Sequence, residues 1–206
     1  HNGTDSYIDD AGTGSIFIRS GTTYIQNAAG TKTSIQTNAG AGQTLYYNNN
    51  QVFVTTSTGV DVTGTAVTDG VTVDGTLKIN EVIEKASLDT STSGLFQAEL
   101  AERAVVYLTN NQTANRQINF RGDGSTSLDS MLAVGESITM SVLADQGATP
   151  YYFNTYTIDG NAATMRWSGG SAPSGGNASG IDVYSFTIIK TASATFTVLG
   201  SQTQYA

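Results

Sequence analysis

The sequence predicts an all-β protein, and its composition and its repeats carry this prediction. Thr and Gly are the two most frequent residue types, with 23 Gly among 206 residues, whereas Pro occurs only twice. Thr favours strands and Gly favours turns. We expect a homotrimeric β-prism-like shaft of short repeats at residues 1–76, a junction at 77–103, and a C-terminal β-sandwich (jelly-roll-like) head at 104–206.

The first part of the chain carries a repeat of nine to ten residues, which appears when the glycines are aligned. The units are GTGSIFIRS from Gly12, GTTYIQNAA from Gly21, GTKTSIQTNA from Gly30 and GAGQTLYYN from Gly40. Each unit has a turn at its glycine, then one or two large apolar residues, and ends in a polar Asn, Gln or Ser. This pattern predicts one short strand per repeat.

A tighter repeat follows, in which GVDVTGT at 59–65 recurs as GVTVDGT at 70–76. The valines alternate with polar residues and therefore share one face of a strand. Between the two kinds of repeat, Asn48, Asn49 and Asn50 tolerate left-handed backbone, so they predict a hairpin turn between strands at 44–47 and 51–55.

These strands are too short and too scattered to provide a second layer within one chain. Their single apolar stripes therefore predict that identical chains cover one another, and three copies around an axis would form a β-prism. The alternative is a monomeric β-solenoid, which also has a short sequence period.

Residues 77–103 form the helix-compatible region of the chain. Asn80 would cap INEVIEKASL, with Glu81 and Lys85 paired one turn apart, and Ser93 would cap GLFQAELAER, with Glu99 and Arg103 at the same spacing. A strand interpretation remains open for both segments.

From residue 104 onward the apolar segments become longer and most aromatic residues occur. Regular strands joined by Gly-rich turns are typical of a sandwich of about 100 residues. The predicted strands are 104–109, 117–121, 137–144, 151–158, 181–189 and 194–200.

Composition excludes several functional classes. The formal net charge of −8 disfavours nucleic acid as a partner. No apolar stretch is long enough for a membrane span, so we expect no membrane insertion. The chain lacks Cys and has one His, at position 1. We therefore expect no metal site, no cofactor and no enzymatic activity.

The only tryptophan, Trp167, precedes a Gly-rich loop at 169–180. Without a Lys in the loop or a helix after it, this loop does not fit a phosphate-binding site. Trp167 is either a platform for stacking a sugar or a structural residue beneath the loop, and the second role is the commoner one. Asp123, in Arg121-Gly122-Asp123, and Asp159 are expected in turns; neither has the spaced oxygen ligands of a calcium site.

Several stretches resemble the fibre-like structural proteins, tail fibres or head fibres, of marine tailed phages, especially of those that infect cyanobacteria (cyanophage type). They are SYIDDAGTGSIFIRS, TLYYNNNQVFVTTSTGVDVTGT, DGVTVDGTLKINEVIEKA, YYFNTYTIDGNAATMRWSGGSAPSGGNASGIDVYSFTIIK and TFTVLGSQTQYA, and together they cover nearly the whole chain. The resemblance implies a viral structural protein with a homotrimeric shaft, a β-rich distal head and an N-terminal part anchored to the virion. Because the sequence starts at His1 without a recognisable anchor, we expect that anchor upstream.

The resemblance also implies a virion appendage, a tail fibre exposed to the extracellular medium, whose head adheres to a host glycan or outer-membrane protein. Candidate receptor-binding residues are Tyr151, Tyr152, Arg166, Trp167 and Asn177. The first alternative is a head fibre or capsid-decorating protein without a receptor. The second, a polysaccharide depolymerase, requires two carboxylates facing one groove. The available carboxylates are Asp123, Asp145, Asp159 and Asp182.

Overall fold

The computed structural model describes Ile8, residues 11–68 and residues 71–206, and its fold is all-β. The chain divides into two compact units, His1–Lys78 and Ile79–Ala206. His1 lies outside the described residues. So does Gly70, at which the repeat GVTVDGT begins.

The first unit contains one five-stranded antiparallel sheet in which each strand pairs with the next strand in sequence. A solenoid would instead stack parallel strands. The strands are β1 (Thr22–Gln26), β2 (Thr33–Asn38), β3 (Gly42–Tyr47), β4 (Asn50–Thr56) and β5 (Gly59–Val62).

The turn between β3 and β4 confirms the hairpin predicted at the three asparagines. Asn48 and Asn49 have φ values of 53° and 66°, in the left-handed region that Asn tolerates better than most residues. Two other predictions for this unit are wrong, because neither the segment 15–20 nor the described residues 71–76 form a strand. The large apolar residues Ile16, Phe17 and Ile18 are all exposed.

One face of this sheet carries a continuous row of apolar side chains. The row consists of cross-strand neighbours, one from each strand: Ile25, Ile35, Leu45, Phe53 and Val62. We call it the apolar row. No described residue of the first unit is buried, and Ile25 is 57% exposed. This unit therefore has no core of its own among the described residues.

The second unit contains two sheets. The strand order is β13-β15-β14-β10-β8-β6 in the six-stranded sheet and β12-β11-β9-β7 in the four-stranded one. The strands are β6 (Ser87–Asp89), β7 (Phe96–Glu99), β8 (Val105–Leu108), β9 (Arg116–Arg121), β10 (Ser137–Asp145), β11 (Phe153–Ile158), β12 (Asn161–Ala162), β13 (Met165–Trp167), β14 (Ile181–Ala192) and β15 (Thr195–Tyr205), with helix α1 (Leu128–Met131) and a 3-10 turn at Ser168–Gly170.

The core of the second unit lies between its two sheets. Aromatic side chains meet across it edge to face, Phe120 with Phe186 at 4.9 Å between ring centroids and Phe153 with Tyr184 at 5.0 Å. Every buried apolar residue of the described chain belongs to this unit. All six strands predicted after residue 104 are present.

Five of the eight strand pairings in the second unit are parallel. The cause is the path of the chain, which alternates between the two sheets from β6 to β11. When the chain leaves one sheet, forms a strand in the other and comes back, its next strand in the first sheet runs parallel to its previous strand there. The sequence pattern gives no sign of these pairings.

The two helices predicted in the junction are wrong. Residues 79–86 have no regular structure, and the strands β6 and β7 follow. Glu99 and Arg103 do form their ion pair, but in a turn after β7 where Arg103 N donates to Glu99 O. Phe96 and Ala98 alternate into the core, so burial on a strand outweighs the helical spacing of the charges.

Candidate functional site

A cleft of about 370 Å³ opens on the second unit where β10 ends, β14 begins and β15 ends. We call it the terminal cleft. Pockets for small ligands typically occupy about 300–1,000 Å³, so its size suits a small ligand. Its lining consists of Asn111, Asp145, Gln146, Ser179, Gly180, Ile181, Tyr205 and Ala206.

Three of these residues form a row across the sheet. Asp145 pairs with Ile181, and Ile181 pairs with Tyr205. Directly paired residues share a face with Cβ atoms about 5 Å apart, so the row places a carboxylate, an aliphatic group and a phenol side by side. The preceding residue of β10, Ala144, and the residue after Ile181, Asp182, face the core. The row therefore lies on the outer face of the sheet.

Asp145 is oriented by a neighbouring strand. The Tyr107 hydroxyl on β8 donates to Asp145 Oδ1 at 2.8 Å, and this bond to the carboxylate raises the pKa of Tyr107. Asp145 Oδ2 accepts no hydrogen bond from any described residue. One carboxylate oxygen is thus held in place while the other remains available at the cleft.

The loop before β14 forms one wall of the cleft, and polar contacts fix its position. Asn177 Nδ2 donates to the Tyr205 carbonyl at 2.8 Å. Gly147 O accepts from Ser179 N, and Gly180 O accepts from Gln146 N, both at 2.9 Å. A Cβ on Gly180 would lie 2.2 Å from Tyr205 O, so only glycine allows this close approach.

A buried polar group lies behind the loop, on the core side of the sheet. Asp182 is fully buried, and its Oδ2 accepts from Asn177 N at 3.2 Å. Burial raises the pKa of Asp182, and the hydrogen bond from Asn177 N opposes that rise. Oδ2 of Asp182 is thus tied to the loop by the backbone of Asn177, whereas Oδ1 has no hydrogen-bond partner among the described residues.

Arg116 supports the same end of the unit from inside. Its buried guanidinium donates to Gly94 O, Ser91 O, Ser91 Oγ and Gln112 Oε1, and it lies 5.5 Å from the centre of the Phe96 ring. Burial lowers the pKa of Arg116. These bonds fix Gln112, whose neighbour Asn111 lines the cleft.

The structure brings together three of the five candidate residues predicted from sequence. Tyr151, Tyr152 and Asn177 lie at this end of the unit, where Tyr151 N donates to Gln146 Oε1 and Tyr152 N to Asn115 Oδ1. Arg166 and Trp167 lie elsewhere, on β13 beside Leu199 and Gly200, five or more residues along β15 from Tyr205.

Trp167 has the packing of a structural residue. Its ring meets Tyr156 edge to face at 5.0 Å and lies against Gly200. Arg166 is exposed and lines a separate shallow cleft of about 420 Å³ on the outer face of the sheet. The five residues therefore do not form one site.

The other Asp residues singled out from sequence have structural contacts. Asp123 Oδ1 accepts from Ser125 N and Thr126 N at 2.7 Å, which confirms the predicted turn. Arg121, two residues earlier, pairs with Glu99. Asp159 caps helix α1. In the described part of the chain, no three His, Cys, Asp or Glu residues are grouped so as to hold a metal ion.

Sequence reasoning missed Asn111 and Tyr205 as site residues and considered Asp145 only as a catalytic candidate. Tyr205 and Asp145 belong to strands whose neighbour relation depends on pairing through β14. The available signal was limited to Asp145, which ends β10 directly before the polar turn QGATP, where functional residues concentrate.

Comparison of the chain with protein-family models, curated proteins and solved structures finds no match. Among the described residues, no helix has the length and apolar character needed to cross a membrane.

Proposed function

We propose that this chain is a virion appendage protein, a tail fibre of a tailed phage, whose trimeric distal head adheres to the surface of a host cell. The first unit would form the end of the shaft, and the second unit would be a β-sandwich head. The observation that carries this proposal is the apolar row on a sheet that no second layer of described residues of the first unit covers.

Five apolar side chains aligned across all five strands make a stripe that water solvates poorly. Three copies around an axis would bury this stripe without requiring any further residue from the chain. The corresponding row on the opposite face is mixed, because the polar side chains of Gln36, Thr44 and Asp61 share it with Tyr24 and Val54. This difference between the faces supports a prism with the apolar row inside.

The second unit supports the role of a head because its own core lies between two sheets. A domain with its own core can display loops and clefts to a partner while the shaft holds the copies together. The proposed partners are the other copies of the chain, further virion proteins, and a glycan or outer-membrane protein of the host. The proposed location is the virion surface.

An adhesive role is also favoured over a catalytic one by the contacts of the four candidate carboxylates. Asp123 and Asp159 accept backbone hydrogen bonds, Asp182 is fully buried, and Asp145 binds the Tyr107 hydroxyl. A glycosidase needs two carboxylates that both face the substrate.

Light scattering and cell binding together test the proposal. A solution mass of about 65 kDa, three times the chain mass of 21.5 kDa, is expected. The fluorescently labelled trimer is expected to bind some strains in a panel of marine cyanobacteria. A monomer would contradict the shaft. A trimer that binds purified capsids but no cell would favour the capsid-decorating alternative, and release of reducing ends from host polysaccharide would favour the depolymerase.

A further inference from the structure

We propose that the terminal cleft binds a neutral saccharide, with Asp145, Ile181 and Tyr205 as its principal contacts. This proposal rests on the proposed adhesive function, because it names the chemical class that the head would recognise. It differs from the sequence prediction in its residues, since neither Arg166 nor Trp167 takes part.

The row across the sheet has the dimensions of a single sugar ring. With paired Cβ atoms about 5 Å apart, the Tyr205 and Asp145 side chains begin about 10 Å from each other and Ile181 lies between them. Tyr205 is 56% exposed. The apolar CH face of a pyranose can pack on Ile181 and the Tyr205 ring, while its hydroxyl groups reach the carboxylate.

Several polar groups at the cleft have no hydrogen-bond partner among the described residues. They are Asp145 Oδ2, the side-chain amide of Asn111, the Ser179 hydroxyl and the Tyr205 hydroxyl. A carboxylate oxygen accepts from sugar hydroxyls, an amide both donates and accepts, and a hydroxyl does either. This set matches neighbouring hydroxyl groups, each of which is at once a donor and an acceptor.

The negative charge of the cleft favours neutral saccharides over acidic ones. Asp145 is negative, and no Lys or Arg belongs to the lining in the part of the chain that the structure describes. The whole chain also carries a formal net charge of −8. Uronic, sialic and sulfated sugars would be repelled, whereas neutral hexoses and N-acetylhexosamines would not.

The cleft is also pre-organised, which limits the entropy lost on binding. Tyr107 holds Asp145, Asn177 holds the backbone of Tyr205, and Gly147 holds Ser179. Ser179 has a φ of 57°, a conformation that its surroundings must maintain. A shallow site of this kind would bind one sugar weakly, and three copies in one trimer would raise the avidity.

A glycan array tests the proposal with the intact chain. The array carries neutral oligosaccharides of glucose, galactose, mannose and N-acetylglucosamine beside uronate-containing and sulfated ones. We expect binding to neutral members only. Calorimetry with the best of them is then repeated on Asp145→Asn and Tyr205→Ala. Asp145→Asn keeps an acceptor for the Tyr107 hydroxyl, and each variant is expected to weaken affinity at least about tenfold.

Matched controls lie outside the cleft. Asp123→Asn makes the same chemical change in a turn outside the cleft, and Leu199→Ala removes an exposed side chain from the outer face of the same sheet. Neither is expected to change affinity. Within the cleft, Tyr205→Phe keeps the ring and removes only the hydroxyl, so its affinity is expected to fall less than that of Tyr205→Ala. Thermal unfolding of every variant verifies that the fold is intact.

The outcomes separate this proposal from the proposed function. Binding only to acidic glycans, no binding to any saccharide, or binding that both cleft variants retain would overturn the saccharide site. Cell adhesion that survives both cleft variants would also overturn it while leaving the appendage function in place. Saccharide binding that needs Tyr205, in a chain that adheres to no cell, would support the site and overturn the adhesive function.

Discussion

Close packing between Trp167 and Gly200 makes the second unit sensitive to a single methyl group. A Cβ on Gly200 would lie 2.8 Å from Trp167 Cζ3, too close for real carbon atoms. Gly200→Ala is therefore expected to lower the free energy of unfolding by about 1–3 kcal/mol, because the indole must move against Tyr156. Urea denaturation measures the loss.

Gly124→Ala is the matched control for that substitution. A Cβ there meets no atom within 4 Å, so little change is expected. Equal stability of Gly200→Ala and the parent chain would show that Trp167 moves freely, and its assignment as a structural residue would then be wrong.

Asp182 makes stability depend on pH in an unusual direction for a carboxyl. Its pKa is raised in the folded chain by burial, so the folded state holds the proton more tightly than the unfolded state does. The stabilising contribution of the protonated group is complete below the unfolded pKa and is lost as the pH rises through the folded pKa.

Comparison with Asp182→Asn isolates this contribution, because the variant does not titrate at that position. The lowered pKa of Glu99, caused mainly by its bond to Arg121, acts in the opposite direction but is common to both proteins. The free energy of unfolding of the parent chain minus that of the variant should be larger at about pH 4.5 than at about pH 7.5. A difference that is constant or grows with pH would contradict the raised pKa.

At the scale of elements, the short helix α1 depends on partners far away in sequence. Asp159 Oδ1 accepts from Leu128 N at 2.8 Å, and Oδ2 accepts from Asp129 N at 3.1 Å. At the other end, Lys190 Nζ donates to Leu132 O at 2.9 Å and pairs with Asp129. A helix of four residues cannot maintain itself without such contacts.

Asp159→Gly removes both acceptors while allowing the φ of 49° found at this position. A loss of about 1–2 kcal/mol is expected, with faster hydrogen exchange at the Leu128 and Asp129 amides. Asp159→Asn keeps the backbone conformation and one acceptor, so its loss should be smaller. Unchanged exchange in the Gly variant would mean that α1 is held by its packing and not by the cap.

Strands and helices differ in how far their sequence signals can be trusted here. The predicted strands of the second unit are all found, because each buries alternate apolar residues, as Val106 and Leu108 do on β8. The second helix predicted in the junction was wrong. Glu99 and Arg103 have helical spacing, but a turn also brings their side chains together. Strand β13 was missed because its three residues are too few to show a period.

At the scale of the whole molecule, the two units should differ in how their stability depends on concentration. The second unit has its own core, whereas the first unit would gain one only from other copies. Leu45→Asp places a charge in the middle of the apolar row and is expected to convert the proposed trimer of about 65 kDa into a chain of 21.5 kDa, measured by light scattering.

Thr44→Asp provides the control for that variant, because it adds the same charge to the same strand on the opposite face. It should remain trimeric. The near-ultraviolet circular dichroism of the second unit should survive in both variants. A Leu45→Asp protein that keeps the mass of the parent chain would show that the apolar row is not the interface.

The sequence by itself determined the all-β class, the asparagine hairpin and the strands of the second unit. These features depend on local properties, namely the alternation of apolar residues and the tolerance of Asn for left-handed backbone. A short stretch of sequence contains all the information that they need.

Only the tertiary structure decided the parallel pairings, the strand state of the junction and the terminal cleft. The cleft exists because Asp145 and Tyr205, sixty residues apart in the chain, are both paired with Ile181. Register between distant strands depends on how whole sheets bury their apolar faces together. No local pattern around either residue contains that information, so the cleft could be found only in the folded chain.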